Sequence, residues 1–241
     1  MADKVHDLII IGGGPSGINV GISAKKAGLN YLILEKGMVV NSLFNFPVKM
    51  TFFSTSLKLE IHNTPFISHG DKPTRAEALE YYRRLVQSNA LNIRLYEEVQ
   101  DMQALESPEG TQEVQYQINT SKGVYTTKAV CVATGFYDTP RLLEVPGEHL
   151  PKVKHYYDDP HAYIGQKVLV VGAANSACDA ALECWRKGAE VTMAIRGDSI
   201  YDRVKYWIKP DIENRIKEGS IPAYFNTKVT AIRPGEVDLI T

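Results

Sequence analysis

The sequence predicts an α/β protein built from two successive β–α–β units. Three observations carry that reading. A short apolar run, a glycine turn, a helix-like stretch ending in Gly and a second apolar run occur in that order. The arrangement then recurs, with Gly12 answered by Gly172, 160 residues later. In both copies the next landmark glycine comes 16 residues on, at Gly28 and Gly188. Runs that are apolar throughout belong in parallel strands covered on both faces.

The first copy reads Leu8-Ile9-Ile10-Ile11, then Gly12-Gly13-Gly14-Pro15-Ser16-Gly17, and closes with Tyr31-Leu32-Ile33-Leu34-Glu35. The second reads Val168-Leu169-Val170-Val171, then Gly172-Ala173-Ala174-Asn175-Ser176-Ala177, and closes with Val191-Thr192-Met193-Ala194-Ile195-Arg196. Between them, residues 39–73 carry Phe, Pro, Ser and Thr without a period and read as long irregular segments. Thr74-x-x-Glu77 is a capping box that opens a helix, with Ala78, Leu79, Tyr82, Leu85 and Val86 at helical spacing. Residues 91–132 alternate and read as several strands, with a hairpin turn at 119–123. Residues 138–151, rich in Pro and Gly, read as a linker, which divides the chain into domains 1–149 and 150–241.

Composition excludes several classes of function. The chain has 241 residues, 44% hydrophobic and 23% charged, as expected of a globular protein with a real core. Lys plus Arg (27) nearly equals Asp plus Glu (28), so no strongly basic face predicts a nucleic-acid partner. No segment approaches the ~20 apolar residues of a membrane helix, and the N-terminus lacks the form of a secretory signal. Cys131, Cys178 and Cys184 form no C-x-x-C pair and no disulfide scaffold. The expectation is a reducing, cytoplasmic setting and no metal site.

Gly12-x-Gly14-x-x-Gly17, after a strand and before a helix, is a dinucleotide fingerprint. The first glycine permits the turn, the second lets backbone approach a pyrophosphate, and the third lets helix and strand pack closely. The helix N-terminus offers unpaired N–H groups and a favourable dipole to phosphates. Pro15 suits the first helical turn. Glu35, 23 residues after Gly12, ends the next strand, where a carboxylate accepts from ribose hydroxyls. The second loop has Ala174 in place of the middle glycine, and Arg196 where the carboxylate would stand. Arg203 and Lys205 follow. Arg suits a 2′-phosphate, which favours NADPH over NADH; the alternative is an exposed basic loop. Asn175 and Ser176 have a plainer alternative as caps of the second helix.

Two such folds, the first ending in Ala133-Thr134-Gly135, resemble the two-domain flavin disulfide reductases. Further stretches are similar to the bacillithiol disulfide reductase-like family, related to thioredoxin reductase: Glu35-Lys36-Gly37-Met38-Val39-Val40-Asn41-Ser42, Thr51-Phe52-Phe53-Ser54, Tyr81-Tyr82-Arg83, Ala133-Thr134-Gly135-Phe136-Tyr137-Asp138 and Val145-Pro146-Gly147-Glu148. The resemblance implies two Rossmann-like domains, one for FAD and one for NADPH, in a homo-oligomer that reduces a low-molecular-weight disulfide or another electron acceptor. It implies that Gly12, Gly14, Pro15, Ser16 and Gly17 line the FAD pyrophosphate, that Glu35 and Lys36 meet the ribose, and that Asn41, Ser42, Thr51 and Phe52 approach the flavin. The Val99 backbone would lie near the adenine, and Ala133, Thr134 and Gly135 would close the cradle. Gly172, Asn175, Ser176, Ala177, Arg196, Arg203 and Lys205 would hold NADPH.

The resembled enzymes characteristically have Cys at the position of Ser16. Ser16 is therefore the candidate catalytic position, although a serine forms no mixed disulfide and reads more readily as a hydroxyl ligand to the cofactor. Two other readings stand beside the reductase. A flavin monooxygenase would share both folds and could use His155 in the linker; a nucleotide-binding module without turnover would fit Ala174 and the missing Cys. In the resembled family the chain returns from the NADPH fold to finish the FAD fold. The stretch Glu236-Val237-Asp238-Leu239-Ile240-Thr241 is still strand-like, so the expectation is a first domain lacking its closing strand and helix.

Overall fold

The computed structural model describes residues 5–105 and 114–241, and residues 106–113 of the alternating stretch lie outside that description. The chain divides into two compact units, Met1–Thr139 and Pro140–Thr241.

In the first unit, β1 (Leu8–Ile11) feeds α1 (Pro15–Lys26) and then β2 (Tyr31–Leu34). Two four-residue helices follow, α2 (Asn41–Phe44) and α3 (Ser56–Leu59), and then the long α4 (Arg75–Ser88). Five strands come next: β3 (Ile93–Arg94), β4 (Val99–Leu105), β5 (Gln115–Thr120), β6 (Val124–Thr127) and β7 (Val130–Val132). Strands β3-β2-β1-β7 form one parallel sheet, and β4-β5-β6 an antiparallel one. One face of the parallel sheet buries Ile10 and Ile33 among Ile18, Ile22, Leu85 and Tyr82 of the helices. The other buries Ile9, Leu32 and Leu34 with Ile118 of the antiparallel sheet. That two-sided burial is why β1 and β2 carry no polar residue.

Thr74 caps α4 as the sequence predicts, with a reciprocal Glu77 contact. The alternating region yields strands with a turn at Ser121–Gly123, and the irregular region holds the two short helices.

The second unit repeats the motif with β8 (Lys167–Val171), α5 (Asn175–Arg186) and β9 (Glu190–Ala194). It continues with α6 (Lys209–Lys217), β10 (Ala223–Tyr224), β11 (Lys228–Ile232) and β12 (Val237–Ile240). Strands β10-β9-β8 are parallel, and β11-β12 an antiparallel pair. The internal repeat is kept to the register: Leu8 pairs with Tyr31, and Val168 with Val191. Gly12 N donates to Leu34 O at 2.8 Å, and Gly172 N to Ala194 O at 3.0 Å.

The stretch read as a linker contains the division between the two units and carries a turn of defined structure. Both Glu148 carboxylate oxygens accept backbone N–H groups, from Leu143 and Glu144, each at 2.7 Å. Ile232 N donates to Pro146 O, and a Cβ on Gly147 would overlap the Ile232 carbonyl. Pro and Gly here serve a tight turn laid against β11. Among the described residues no helix is long and apolar enough to cross a membrane.

Candidate functional site

Two glycines of the first loop are required by close backbone contacts. Gly12 has φ +112°, and a Cβ there would overlap the Ala133 carbonyl. A Cβ on Gly17 would overlap the carbonyl of Gly12, so helix and turn meet only because Gly17 has no side chain. Gly14 differs. Its φ of −78° suits any residue, and nothing lies within 4 Å of the place a Cβ would take. No neighbour within the described protein demands a glycine at position 14. It precedes α1, whose first turn holds no side-chain cap, so the helix opens on unpaired N–H groups. Pro15 occupies the first helical turn and Ser16 is exposed beside it.

Glu35 holds this loop in place. It is 6% exposed, and its two oxygens accept from Gly13 N at 2.6 Å and Gly37 N at 2.8 Å. Each oxygen keeps a second lone pair for a further donor. Gly13 O in turn accepts from Val40 N at 3.0 Å. Val40 is buried with φ +49°, a conformation that a β-branched residue adopts only under constraint. The sequence reading missed Val40, and its only signal was its place between the strand-end Glu35 and Asn41.

Lys36 and Ser42 meet at a residue that was not a candidate. Asp138 accepts from Ser42 Oγ at 2.5 Å and pairs with Lys36 Nζ at 3.1 Å. Asn41 packs its side chain over Gly37. Thr51 is exposed and bridges to Thr74, and Phe52 lies against the first core and Phe46. Val99 begins β4 opposite Thr120. Ala133 N donates to Ile11 O at 2.8 Å, which brings the 133–135 turn against Gly12, with Thr134 and Gly135 exposed.

The second loop has the same backbone and looser packing. Gly172 has φ +126°, and a Cβ there would sit 3.4 Å from the Ala177 methyl, an ordinary contact. The wider turn is why alanine replaces glycine at 177. Ala174 is exposed and precedes α5 without a side-chain cap. Neither Asn175 nor Ser176 caps the helix, which corrects the plainer alternative: both lie inside α5, past the capping position. Asn175 Oδ1 instead accepts from Lys205 N at 2.9 Å. Ser176, Arg196 and Arg203 are exposed, and no ion pair ties either arginine among the described residues.

Other candidates are absorbed by structure. His155 Nε2 lies 2.9 Å from Glu148 Oε1. The carboxyl of Glu148 is held below its ordinary range by the Leu143 backbone bond first, then by His155. Burial raises the Cys178 and Cys184 thiols to about 11, which leaves them poor nucleophiles. Both cysteines are buried in one core cluster. Among the described residues no three His, Cys, Asp or Glu come together to hold a metal.

Asp179 on α5 carries a pH dependence. Burial, then the charge of Glu183 one turn on, raises its carboxyl from 3.8 to about 6, against a smaller opposing pull from Arg186. The folded state thus holds a proton that the unfolded chain releases near pH 4. This contribution to stability is full below pH 4, falls as pH rises through about 6, and is constant beyond. Asp179→Asn should therefore gain about 1–2 kcal/mol over the parent at pH 7.5, after allowing for solvent screening, and almost nothing at pH 4. Urea unfolding at the two pH values measures it; an equal gain at both would refute the assignment.

Comparison with known proteins gives this geometry its context. The pyridine nucleotide-disulphide oxidoreductase pattern matches residues 9–240. The chain belongs to that family. It is 42% identical over 240 residues to bacilliredoxin reductase Bdr of Bacillus subtilis, covering 97% of this chain and 72% of that protein. The structure of bacillithiol disulfide reductase Bdr (YpdA) from Bacillus cereus superposes with a TM-score of 0.90 at 39% identity, over 98% of this chain and 75% of that one. The corresponding Staphylococcus aureus structure gives 0.89 at 40%, over 99% and 74%. The α/β fold and the oxidoreductase class expected from the sequence are those of the family, and with them come FAD and NADPH as cofactors. The chain's own residues fit both groups: an open Gly14 before a helix without a side-chain cap in one unit, and the Gly172 turn with the exposed Arg196 and Arg203 in the other.

Proposed function

We propose that this chain is an NADPH-dependent flavin reductase that acts on a low-molecular-weight disulfide, with bacillithiol disulfide as the first candidate acceptor. The observation that carries the reading is Gly14. Neither its backbone angles nor its neighbours call for glycine, so the demand comes from a group outside the protein. A pyrophosphate approaching the α1 N-terminus meets that demand.

When bound, NADPH supplies a hydride, FAD relays its two electrons, and with one proton the acceptor's S–S bond is cleaved to two thiols. The residues bind and orient. Gly12, Gly14, Pro15, Ser16 and Gly17 present backbone to the FAD pyrophosphate, and Glu35 offers its remaining lone pairs to the ribose. Lys36, Asn41, Ser42, Thr51, Phe52, Val99, Ala133, Thr134 and Gly135 complete that cradle, with Asp138 holding Lys36 and Ser42. Gly172, Asn175, Ser176, Ala177, Arg196, Arg203 and Lys205 receive NADPH. Ser16 serves as a hydroxyl donor, and no thiol adduct forms at that position. Three unpaired cysteines fit a reducing cytoplasm, and a homo-oligomer is expected on sizing by light scattering.

The test is the visible spectrum of the purified protein under nitrogen. A yellow protein should be bleached by NADPH and recover its colour on addition of bacillithiol disulfide, with two thiols released per disulfide. A colourless protein unchanged by added FAD would sink the reading. Recovery by oxygen alone, with an oxygenated product, would replace it with the monooxygenase.

A further inference from the structure

We infer that Asn175 is a positioning residue for dinucleotide selection, acting through the backbone of Lys205 to hold the cationic segment that distinguishes a 2′-phosphate from a 2′-hydroxyl. The inference rests on the NADPH reading above and extends it to how the selecting segment is kept in place.

Residues 196–208 leave the carboxyl end of β9, where ligands of open parallel sheets bind. The segment is anchored at four-residue spacing: Ile200, Val204 and Ile208 are all 5% exposed or less and pack with Cys178, Leu182 and Met193 in the core of the second unit. Arg196, Asp198, Ser199, Asp202 and Arg203 are exposed, and Lys205 is half-buried. Of its two acids, Asp202 pairs with Lys209 at 3.1 Å, and Asp198 accepts from Ser199 at 2.9 Å. Neither acid forms an ion pair with Arg196 or Arg203 among the described residues, and both arginines are open to a ligand.

Hydrophobic anchoring sets the depth of this segment but not its registry along the sheet edge, because apolar contact is non-directional. Hydrogen bonds supply the registry: Asn226 N donates to Gly197 O at 2.8 Å at the start of the segment, and two more bonds act further along. Tyr201 N donates to Ala173 O at 3.1 Å, and Lys205 N donates to Asn175 Oδ1 at 2.9 Å. Both acceptors belong to the glycine turn or the first residue of α5, so they bracket residues 201–205 against the turn that would receive the pyrophosphate. The second bond spans 30 residues and depends on one side chain. An N–H facing the Asn175 amide requires its oxygen, which fixes the orientation of the group. Lys205 O accepts from Ile208 N and Lys209 N, so Lys205 also starts the turn that leads into α6. Loss of the Asn175 bond frees the N-terminal side of that turn, and Arg203 with it.

The experiment measures binding of two probes by calorimetry, 2′-phosphoadenosine 5′-phosphate and adenosine 5′-phosphate, to the full chain and to Asn175→Ala. The parent should prefer the 2′-phosphorylated probe. In Asn175→Ala that preference should shrink about 5- to 10-fold, the worth of one registry-setting bond. Affinity for the unphosphorylated probe should change less. Amide hydrogen exchange reads the bond directly: peptides covering 201–208 should lose protection in the variant while β9 and α5 keep theirs. A parent without preference would remove the NADPH reading beneath the proposal. A parent with preference and a variant that keeps the same ratio, with or without lost protection at 201–208, would overturn the role of Asn175 alone.

Discussion

Gly12→Ala and Gly17→Ala should each cost about 3 kcal/mol or more of stability in the first unit and leave the protein without FAD, whereas Gly14→Ala should fold as the parent does and bind FAD about 10- to 100-fold more weakly. The contrast follows from what surrounds each Cβ. At position 12 the added methyl overlaps the Ala133 carbonyl and must also adopt φ +112°. At position 17 it overlaps the Gly12 carbonyl. Both conflicts are with backbone, so no rotamer change relieves them. At position 14 the methyl enters open space and the backbone is already extended. Thermal unfolding and FAD titration separate the two effects. A Gly14→Ala protein with parental unfolding and parental FAD affinity would remove the argument that a ligand, and not the fold, selects glycine there. Ala174, at the equivalent position of the second loop, shows that this extended backbone accepts alanine.

How much of this was legible in the sequence depends on distance along the chain. The repeat was, because the apolar pattern that marks two buried strands also sets their register. Leu8 opposite Tyr31 recurs as Val168 opposite Val191. The reasons behind Gly12 and Gly17 were equally visible, since they are local to one turn. Asp138 was not, because its partner Ser42 lies 96 residues away. The helices at Asn41–Phe44 and Ser56–Leu59 were hidden for another reason: four residues are barely one turn and leave no periodicity to detect. Asn175 has capping as its plainer alternative because local sequence shows a polar residue near a helix start. One position decides the matter, and Ala174 holds it. The segment from 138 to 151 has the composition of a linker, yet Glu148 gathers its amides into a turn. Composition reports what a backbone can do, and a single long-range acceptor settles what it does.

Glu35→Gln should lower stability by about 2–3 kcal/mol, or about 4–8 °C in the unfolding midpoint of the first unit, and weaken FAD by at least about tenfold. The carboxylate is buried and accepts two backbone donors that come from opposite directions, Gly13 before α1 and Gly37 after β2. Glutamine has the same length and only one accepting oxygen. Its NH₂ must face one of the two amides, which leaves that donor buried and unpaired. The charge-assisted character of the surviving bond is lost as well. The consequence reaches the cofactor by geometry. Gly13 is tied on its other side to Val40, whose positive φ persists only while its neighbours hold it there. Releasing Gly13 lets that constraint relax and moves the amides that precede the α1 N-terminus. Glu35→Asp separates the two roles. It keeps the charge and both oxygens but is one methylene too short to span Gly13 and Gly37, so it should lose FAD affinity with a smaller loss of stability. If Glu35→Gln unfolds with the parent and keeps its flavin, the clamp is not what organises this loop, and the ribose contact alone would have to account for a carboxylate at the end of β2.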